Sequence, residues 1–397
     1  MPKRRSRKKR RAGTFGSILL LLVLILVAYS YFSGVRLPGM PQLPPLKLTG
    51  LPTWFPQLPG FGNTPPPKGS PESPATPASE VSASGEWYQL YFTGPTPDNQ
   101  SGGIPDKVAA SFDAAQKTLD VAVYEFNLTS LSDALIRAAQ RGVRVRLVTD
   151  TDSMQEETIQ ALLTAGVPVV DDQRSAIMHD KFVVMDSSVV WVGSMNFTVN
   201  DAYKNDNNFM RISSTHLAQN YTAEFEEMFG QREFGPGSPA NTPNPSLNLN
   251  GTQIENYFSP DDGVAAHILD VLNSAQKSIY FMAFTFTRTD FTDVMIARAQ
   301  AGVTVQGVFE KRQIAAGADQ AWNALTNAGL EVRQDGNSFT MHNKVIVVDG
   351  QIVVTGSYNF TKAAEDSNDE NVLIIHNPEI AAAYMNEWKE IWNVAEK

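Results

Sequence analysis

The chain has 397 residues, 42% hydrophobic and 19% charged, with no cysteine, which excludes disulfides, thiolate metal sites and a cysteine nucleophile. That length suffices for two ordinary domains, or one large duplicated one, with a substantial core. The net charge is −10, but residues 1–33 hold eight basic residues and no acid, so the rest carries 24 basic against 42 acidic residues. A body with a net charge of −18 is a poor general polyanion binder, because non-specific nucleic-acid binding neutralises phosphates with Lys and Arg.

Residues 1–14 form a basic tail. Residues 15–32 read FGSILLLLVLILVAYSYF, uncharged and just long enough to span a bilayer. The segment 15–33 is therefore expected as a transmembrane anchor. Its basic flank keeps the tail cytoplasmic, and Tyr29, Tyr31 and Phe32 read as an interfacial belt. A cleaved signal sequence, with Ala28 and Ser30 as small residues before the cut, reads the same stretch. Either reading places the body outside the cytoplasm, as a single-pass membrane protein or a secreted one. Residues 34–85 are dense in Pro, Gly, Ser and Thr, which favours extended chain and builds no core, so they are expected as a linker.

Beyond the linker the chain repeats itself. KTLDVAVYEF (117–126) matches KSIYFMAFTF (277–286), SLSDALIRAAQRGVRVRLVTD (130–150) matches DFTDVMIARAQAGVTVQGVFE (290–310), and HDKFVVMDSSVVWVGSMNFT (179–198) matches HNKVIVVDGQIVVTGSYNFT (342–361). Each copy predicts a helix (105–116; 262–275), an apolar strand (118–126; 278–287) and an amphipathic helix (131–141; 291–301) stopped at Gly142 or Gly302. A Val-rich strand (143–149; 303–309), a further helix and a β pair follow. Apolar runs alternating with helices predict an α/β fold with a largely buried sheet in each copy. Two tandem homologous units, 86–232 and 251–397, are expected to pack as a pseudo-dimer, with 233–250 as the linker between them. The final helix (377–394) carries Tyr384, Trp388 and Trp392 on one face, expected to pack on the second unit.

Both copies contain H-x-K-x4-D-x6-G-S-x-N with identical spacing. The residues are His179, Lys181, Asp186, Gly193, Ser194 and Asn196, then His342, Lys344, Asp349, Gly356, Ser357 and Asn359. Strand alternation puts each His and Lys on one face, able to point at one phosphate. The Gly-Ser turn brings the Ser hydroxyl, the Asn amide and backbone N–H groups toward the same anion. Ser194, Asn196, Ser357 and Asn359 are therefore expected to bind the substrate phosphate. One copy supplies one imidazole, whereas splitting a phosphodiester through a covalent intermediate needs two: a neutral one to attack phosphorus and a protonated one to serve the leaving oxygen. A single site shared by the copies follows. Glu370 lies 28 residues after His342, where the first copy has Asn207, so the halves are not equivalent. The histidine that meets Glu370 should be the more basic one and the better nucleophile, and Asp206 is the candidate support for the other. The acid pairs Asp171-Asp172 and Asp261-Asp262 read as solvated turn residues, and no metal or cofactor is expected.

These residues resemble the phospholipase D superfamily over roughly residues 86–395, and MHNKVIVVDGQIVVTGSYNFTKAAEDSNDENVLII resembles its compact bacterial branch of small nucleases and cardiolipin-hydrolase-like proteins. The resemblance implies a metal-independent, two-histidine phosphodiesterase or phosphatidyl transferase, with His179 as nucleophile and His342 as acid and base. Lys181, Lys344 and Glu370 complete the catalytic set. Asp186 and Asp349 are counted with it, although in this family they serve more as structural partners than as participants. With both units in one chain, a monomer suffices. The expected substrate is a phospholipid. The alternatives are an exported endonuclease, a phosphatidyl transferase of cardiolipin-synthase type, or a binding module descended from an enzyme.

Overall fold

The structure is a computed structural model that describes residues 81–95 and 103–396. All of them fall in one compact unit. The expected membrane segment 15–33 and most of the linker lie outside the described residues. Among the described residues, no helix is long and apolar enough to cross a membrane.

Among the described residues two eight-stranded sheets form, one per half. The first comprises β1 (Ala83–Ser84), β2 (Tyr88–Thr93), β3 (Thr118–Val123), β4 (Arg144–Thr149), β5 (Val169–Asp171), β6 (Lys181–Met185), β7 (Val189–Gly193) and β8 (Asn207–Ser213), in the order β1-β2-β8-β7-β6-β3-β4-β5. The second comprises β9 (Ser246–Leu249), β10 (Thr252–Ser259), β11 (Ser278–Ala283), β12 (Thr304–Phe309), β13 (Glu331–Gln334), β14 (Lys344–Val348), β15 (Ile352–Gly356) and β16 (Glu370–His376), in the order β13-β12-β11-β14-β15-β16-β10-β9. The orders are the same once the halves are aligned. Within each, β3-β4-β5 or β11-β12-β13 run parallel and the remaining neighbours pair antiparallel.

The helices are α1 (Ile104–Ala114), α2 (Thr129–Gln140), α3 (Glu157–Thr164), α4 (Val199–Tyr203), α5 (Thr215–Glu226), α6 (Val264–Ser274), α7 (Thr289–Gln300), α8 (Lys311–Ala315), α9 (Gln320–Asn327), α10 (Lys362–Asp366) and α11 (Pro378–Val394). Alternation along the strands divides the core in three. In β6, Val183 faces an outer core with α1, α2 and α3, while Phe182 and Val184 face a central one. In β14, Ile346 faces the second outer core, and Val345 and Val347 the centre.

The central core is filled from both halves by α5 and α11. Tyr221 of α5 packs its ring on Phe182 at 4.9 Å and on Phe258 at 5.1 Å, one from each half. Tyr384 of α11 packs edge-on against Phe92 and donates its hydroxyl toward Asn208 Oδ1 and Thr355 Oγ1 at 3.1 and 3.2 Å. The last helix thus packs on the second half, as expected, with Trp388 against Tyr280, and it touches the first half as well. The stretch 233–250 also holds more order than a linker: its end is β9, an edge strand on β10.

Candidate active site

The site is built at the seam, where each half's histidine loop is tied to the other half by backbone bonds. His179 N–H donates to Asp369 O at 2.9 Å, and Asp369 N–H returns to Ile177 O at 3.1 Å. The mirror pair is His342 N–H to Asp206 O at 2.8 Å and Asp206 N–H to Thr340 O at 2.9 Å. The side chains cross the seam too. His179 Nδ1 lies 2.7 Å from Glu370 Oε2. His342 Nδ1 lies 2.8 Å from Asn207 Oδ1. An amide oxygen only accepts, so Nδ1 of His342 carries a proton and Nε2 is the nitrogen left for chemistry. The next residues interlock as well: Asn371 Nδ2 donates to Asp180 Oδ1 at 2.6 Å, and Asn208 Nδ2 to Asn343 Oδ1 at 2.7 Å.

Lys181 and Lys344 open β6 and β14 and are buried. Each ammonium folds back onto the carbonyl of its own histidine, at 2.5 Å for Lys181 and 2.8 Å for Lys344. An ammonium has three donors, and that bond takes one. Lys181 also lies 5.2 Å from the centre of the Tyr124 ring, and Lys344 lies 4.6 Å from that of Phe284. Electrostatics shows that the four groups share one site. Burial, then Lys181 and Lys344, push His179 well below the ordinary imidazole range. Burial, then Lys344, Lys181 and His179, do the same to His342. Burial lowers Lys181 to about 8 and depresses Lys344, which Lys181 depresses further. Burial also pushes Glu370 up to about 8, against the pull of Lys181. A cluster of buried cations that disfavour one another's charge is a place where an anion is stabilising.

The Gly-Ser turns are shaped by close approach. A Cβ on Gly193 would stand 2.2 Å from Asn208 O, and one on Gly356 would stand 2.2 Å from Asn371 O. The serines serve differently from the expectation. Ser194 Oγ donates to Asn207 Oδ1 at 2.9 Å and accepts from Asn208 N, while Ser357 Oγ bonds Glu370 and accepts from Asn371 N. Their own N–H groups bond Asn208 O and Asn371 O. The hydroxyls and N–H groups expected on the phosphate thus brace the residues that hold the histidines. Asn196 Oδ1 and Asn359 Oδ1 are buried without a hydrogen-bond partner, in matching places of the two halves.

Asp186 and Asp349 are placed away from the histidines, beyond the far ends of β6 and β14. Asp186 accepts from the N–H of Gln116, Lys117 and Thr118 at 2.9, 2.7 and 2.9 Å. Asp349 repeats this on Gln276, Lys277 and Ser278 at 2.8, 2.7 and 2.8 Å. Four residues separate each from its lysine, five strand steps or about 16 Å of rise, so neither belongs with the reacting groups. Asp206 does not support His342 either, because its carboxylate accepts from Asn337 Nδ2 at 2.8 Å. The carboxylate beside that ring is Asp201, with Oδ2 3.6 Å from His342 Nδ1. Asp172 is buried and accepts from Thr151, and Asp262 accepts from Thr242 and Phe258 N–H, so these acids are not merely solvated. Among the described residues, no group of three or more His, Cys, Asp or Glu side chains could hold a metal ion.

The family described as "Cardiolipin synthase, PLD-like domain" matches the chain at residues 108–229 and again at 268–392, one match per half. The chain belongs to the phospholipase D superfamily. It is 39% identical over 126 residues to a mitochondrial cardiolipin hydrolase of Xenopus tropicalis, covering 31% of this chain and 59% of that protein. It is 32% identical over 140 residues to a phospholipase D of Rickettsia bellii, covering 35% of this chain and 69% of that protein. The match thus spans little more than half of the first relative. The phosphatidylserine synthase of Haemophilus influenzae superposes with a TM-score of 0.60 at 14% identity, covering 77% of this chain and 86% of that one, which is a likeness of fold. In phospholipase D terms, the chain carries both copies of the signature and closes one site between them.

Proposed function

We propose that this chain hydrolyses phospholipid phosphodiester bonds through a phosphohistidine intermediate. The observation that carries the reading is the pairing of His179 with Glu370 across the seam, while His342 meets an amide. A carboxylate on Nδ1 favours the imidazolium that forms as the opposite nitrogen attacks. His179 is therefore the nucleophile. Its Nε2 forms a bond to phosphorus as the phosphorus–oxygen bond to the leaving alcohol breaks, and protonated His342 gives that oxygen its proton. Neutral His342 then takes a proton from water, the hydroxide displaces His179 from phosphorus, and both histidines return to their starting states. Lys181 and Lys344 hold the non-bridging oxygens as charge builds.

A phospholipid is favoured over nucleic acid by the net charge of −18 outside residues 1–33, and by relatives named for cardiolipin and phospholipid hydrolysis. The family description also names a synthase, and the same intermediate would pass its phosphatidyl group to an alcohol in place of water. The test gives the full-length chain, His179→Ala and His342→Ala vesicles of phosphatidylcholine, phosphatidylethanolamine and cardiolipin, with and without glycerol, and single- and double-stranded DNA, all with excess chelator. Release of phosphatidate, reduced about 10³-fold or more in both variants, is expected. DNA cleavage without lipid turnover would make the chain a nuclease, and glycerol adducts would make it a transferase.

A further inference from the structure

Aligned on their histidines, the two halves differ at both positions that serve the rings' outer nitrogens. At 22 and 28 residues past the histidine, the second half has Ala364 and Glu370, and the first has Asp201 and Asn207. Glu370 reaches His179, and Asn207 reaches His342. Asn207 can accept the Nδ1 proton but brings no charge to an imidazolium. The titratable groups facing His342 from the rest of the site are Lys344, Lys181 and His179, and each disfavours its protonation, while the Ser194 backbone favours it as a neutral hydrogen-bond partner that brings no charge. Glu370 is engaged with the other ring.

Asp201 stands where the missing charge is needed. It is 3% exposed and lies on α4, the short helix that follows the Gly-Ser turn. Its Oδ2 is 3.6 Å from His342 Nδ1 and accepts from Asn196 N–H at 2.7 Å, and its Oδ1 accepts from Asn205 Nδ2 at 2.5 Å. Its carbonyl accepts from Asn207 Nδ2 at 3.2 Å, which turns the amide oxygen toward the ring. The matching residue of α10, Ala364, has no side chain to do any of this. We propose that Asp201 is a positioning residue that supplies, from a neighbouring helix, the negative charge Asn207 lacks, so that His342 holds the proton for the leaving alcohol. The assignment rests on the phosphodiesterase reading above.

A purely structural Asp201 would only brace the turn through Asn196, and two substrates separate the cases. Bis(4-nitrophenyl) phosphate releases a phenolate that departs without a proton, whereas the alcohol leaving phosphatidylethanolamine needs one. Asp201→Asn keeps an acceptor for Asn196 and removes the charge. In the full-length chain it should slow phosphatidylethanolamine about 10²-fold, slow the nitrophenyl ester less than about threefold, and move the alkaline limb of the kcat profile to lower pH. Asp201→Ala combined with Asn207→Glu copies the second half's arrangement and should recover at least about tenfold on the lipid. Equal losses on both substrates, an unmoved limb, or no recovery in the double variant would overturn the role of Asp201. A wild type inert on both substrates would instead sink the phosphodiesterase reading, and this inference with it.

Discussion

Asp186 shares a motif with His179, yet its carboxylate closes the junction of α1 and β3. Its backbone sits at φ 50°, and that of Asp349 at φ 54°, the left-handed region that Asp tolerates better than most residues. Burial pushes both carboxyls up, but the three N–H bonds on each outweigh it and hold them below the ordinary range. Asp186→Asn offers one acceptor oxygen to three donors and should cost about 1.5–3 kcal/mol in urea unfolding, with kcat within about twofold. A depressed carboxyl contributes stability above its unfolded pKa and loses it as pH falls through the folded one, so the wild type's advantage should vanish in strong acid. A large kcat loss at unchanged stability would return Asp186 to the chemistry. The histidines and lysines were legible because their spacing and strand alternation say which face they share. The serines misled because a hydroxyl able to meet a phosphate is equally able to brace Asn207 or Glu370, and composition does not distinguish the two. The acid at Asp201 stands in the sequence against Ala364 in the other half, but only the fold brings it within 3.6 Å of His342 Nδ1.

At the scale of elements, repeated strands such as KFVVM and KVIVV announced themselves by β-branched runs, and both fell where the pattern put them. The edge strands β1 and β9 did not, because they lie in polar, Ser- and Asn-bearing stretches too short to show a pattern, and only the fold pairs them to β2 and β10 and turns Ala83, Leu247 and Leu249 onto the central core. The place of α5 was likewise beyond reach, since an apolar stripe says that a helix is buried but not that Tyr221 will lie between two halves. Strand closure at the site rests on Gly193 and Gly356. Gly356 has φ 145°, and a methyl there would meet the Asn371 carbonyl that accepts from Ser357 N–H. Gly356→Ala should therefore part β15 from β16 and cost about 3 kcal/mol, read as a lowered urea midpoint. An unchanged midpoint would mean that the strands can give way, and that the glycine serves some other purpose.

Over the whole molecule, the seam is also where carboxylates are buried, because each histidine loop is anchored by a backbone bond beside an acid of the other half. Burial pushes Asp180, Asp206 and Glu310 up to about 7, and Asp369 to about 8 even with Arg174 beside it. The sign follows from proton counts. Between the ordinary carboxylate range and about 8, the folded chain keeps protons that the unfolded chain has released, so raising the pH through that window favours unfolding. Three side chains oppose this at its edges. His179 and His342, depressed by burial, destabilise the fold below about pH 6.5, where the unfolded chain takes up their protons. Lys181, lowered to about 8, adds stability as the pH rises beyond that value, because the unfolded chain still holds the proton. Lys344 is held well below the ordinary ammonium range as well, and it opposes the carboxylates inside that window, so their contribution is read by difference on a variant of one carboxylate. Asp206 tests the cause, since its carboxylate accepts from Asn337, and like charge from Asp335 and Glu310 adds to its burial. Asp206→Asn can still accept that bond and cannot ionise. It should raise Tm at about pH 8, by roughly 2–4 °C for each kcal/mol relieved, with the gain shrinking toward about pH 5, where the native carboxyl is already neutral. A gain of the same size at both values would trace the effect to packing, and a loss at the higher pH would mean that the ionised carboxylate holds the seam together.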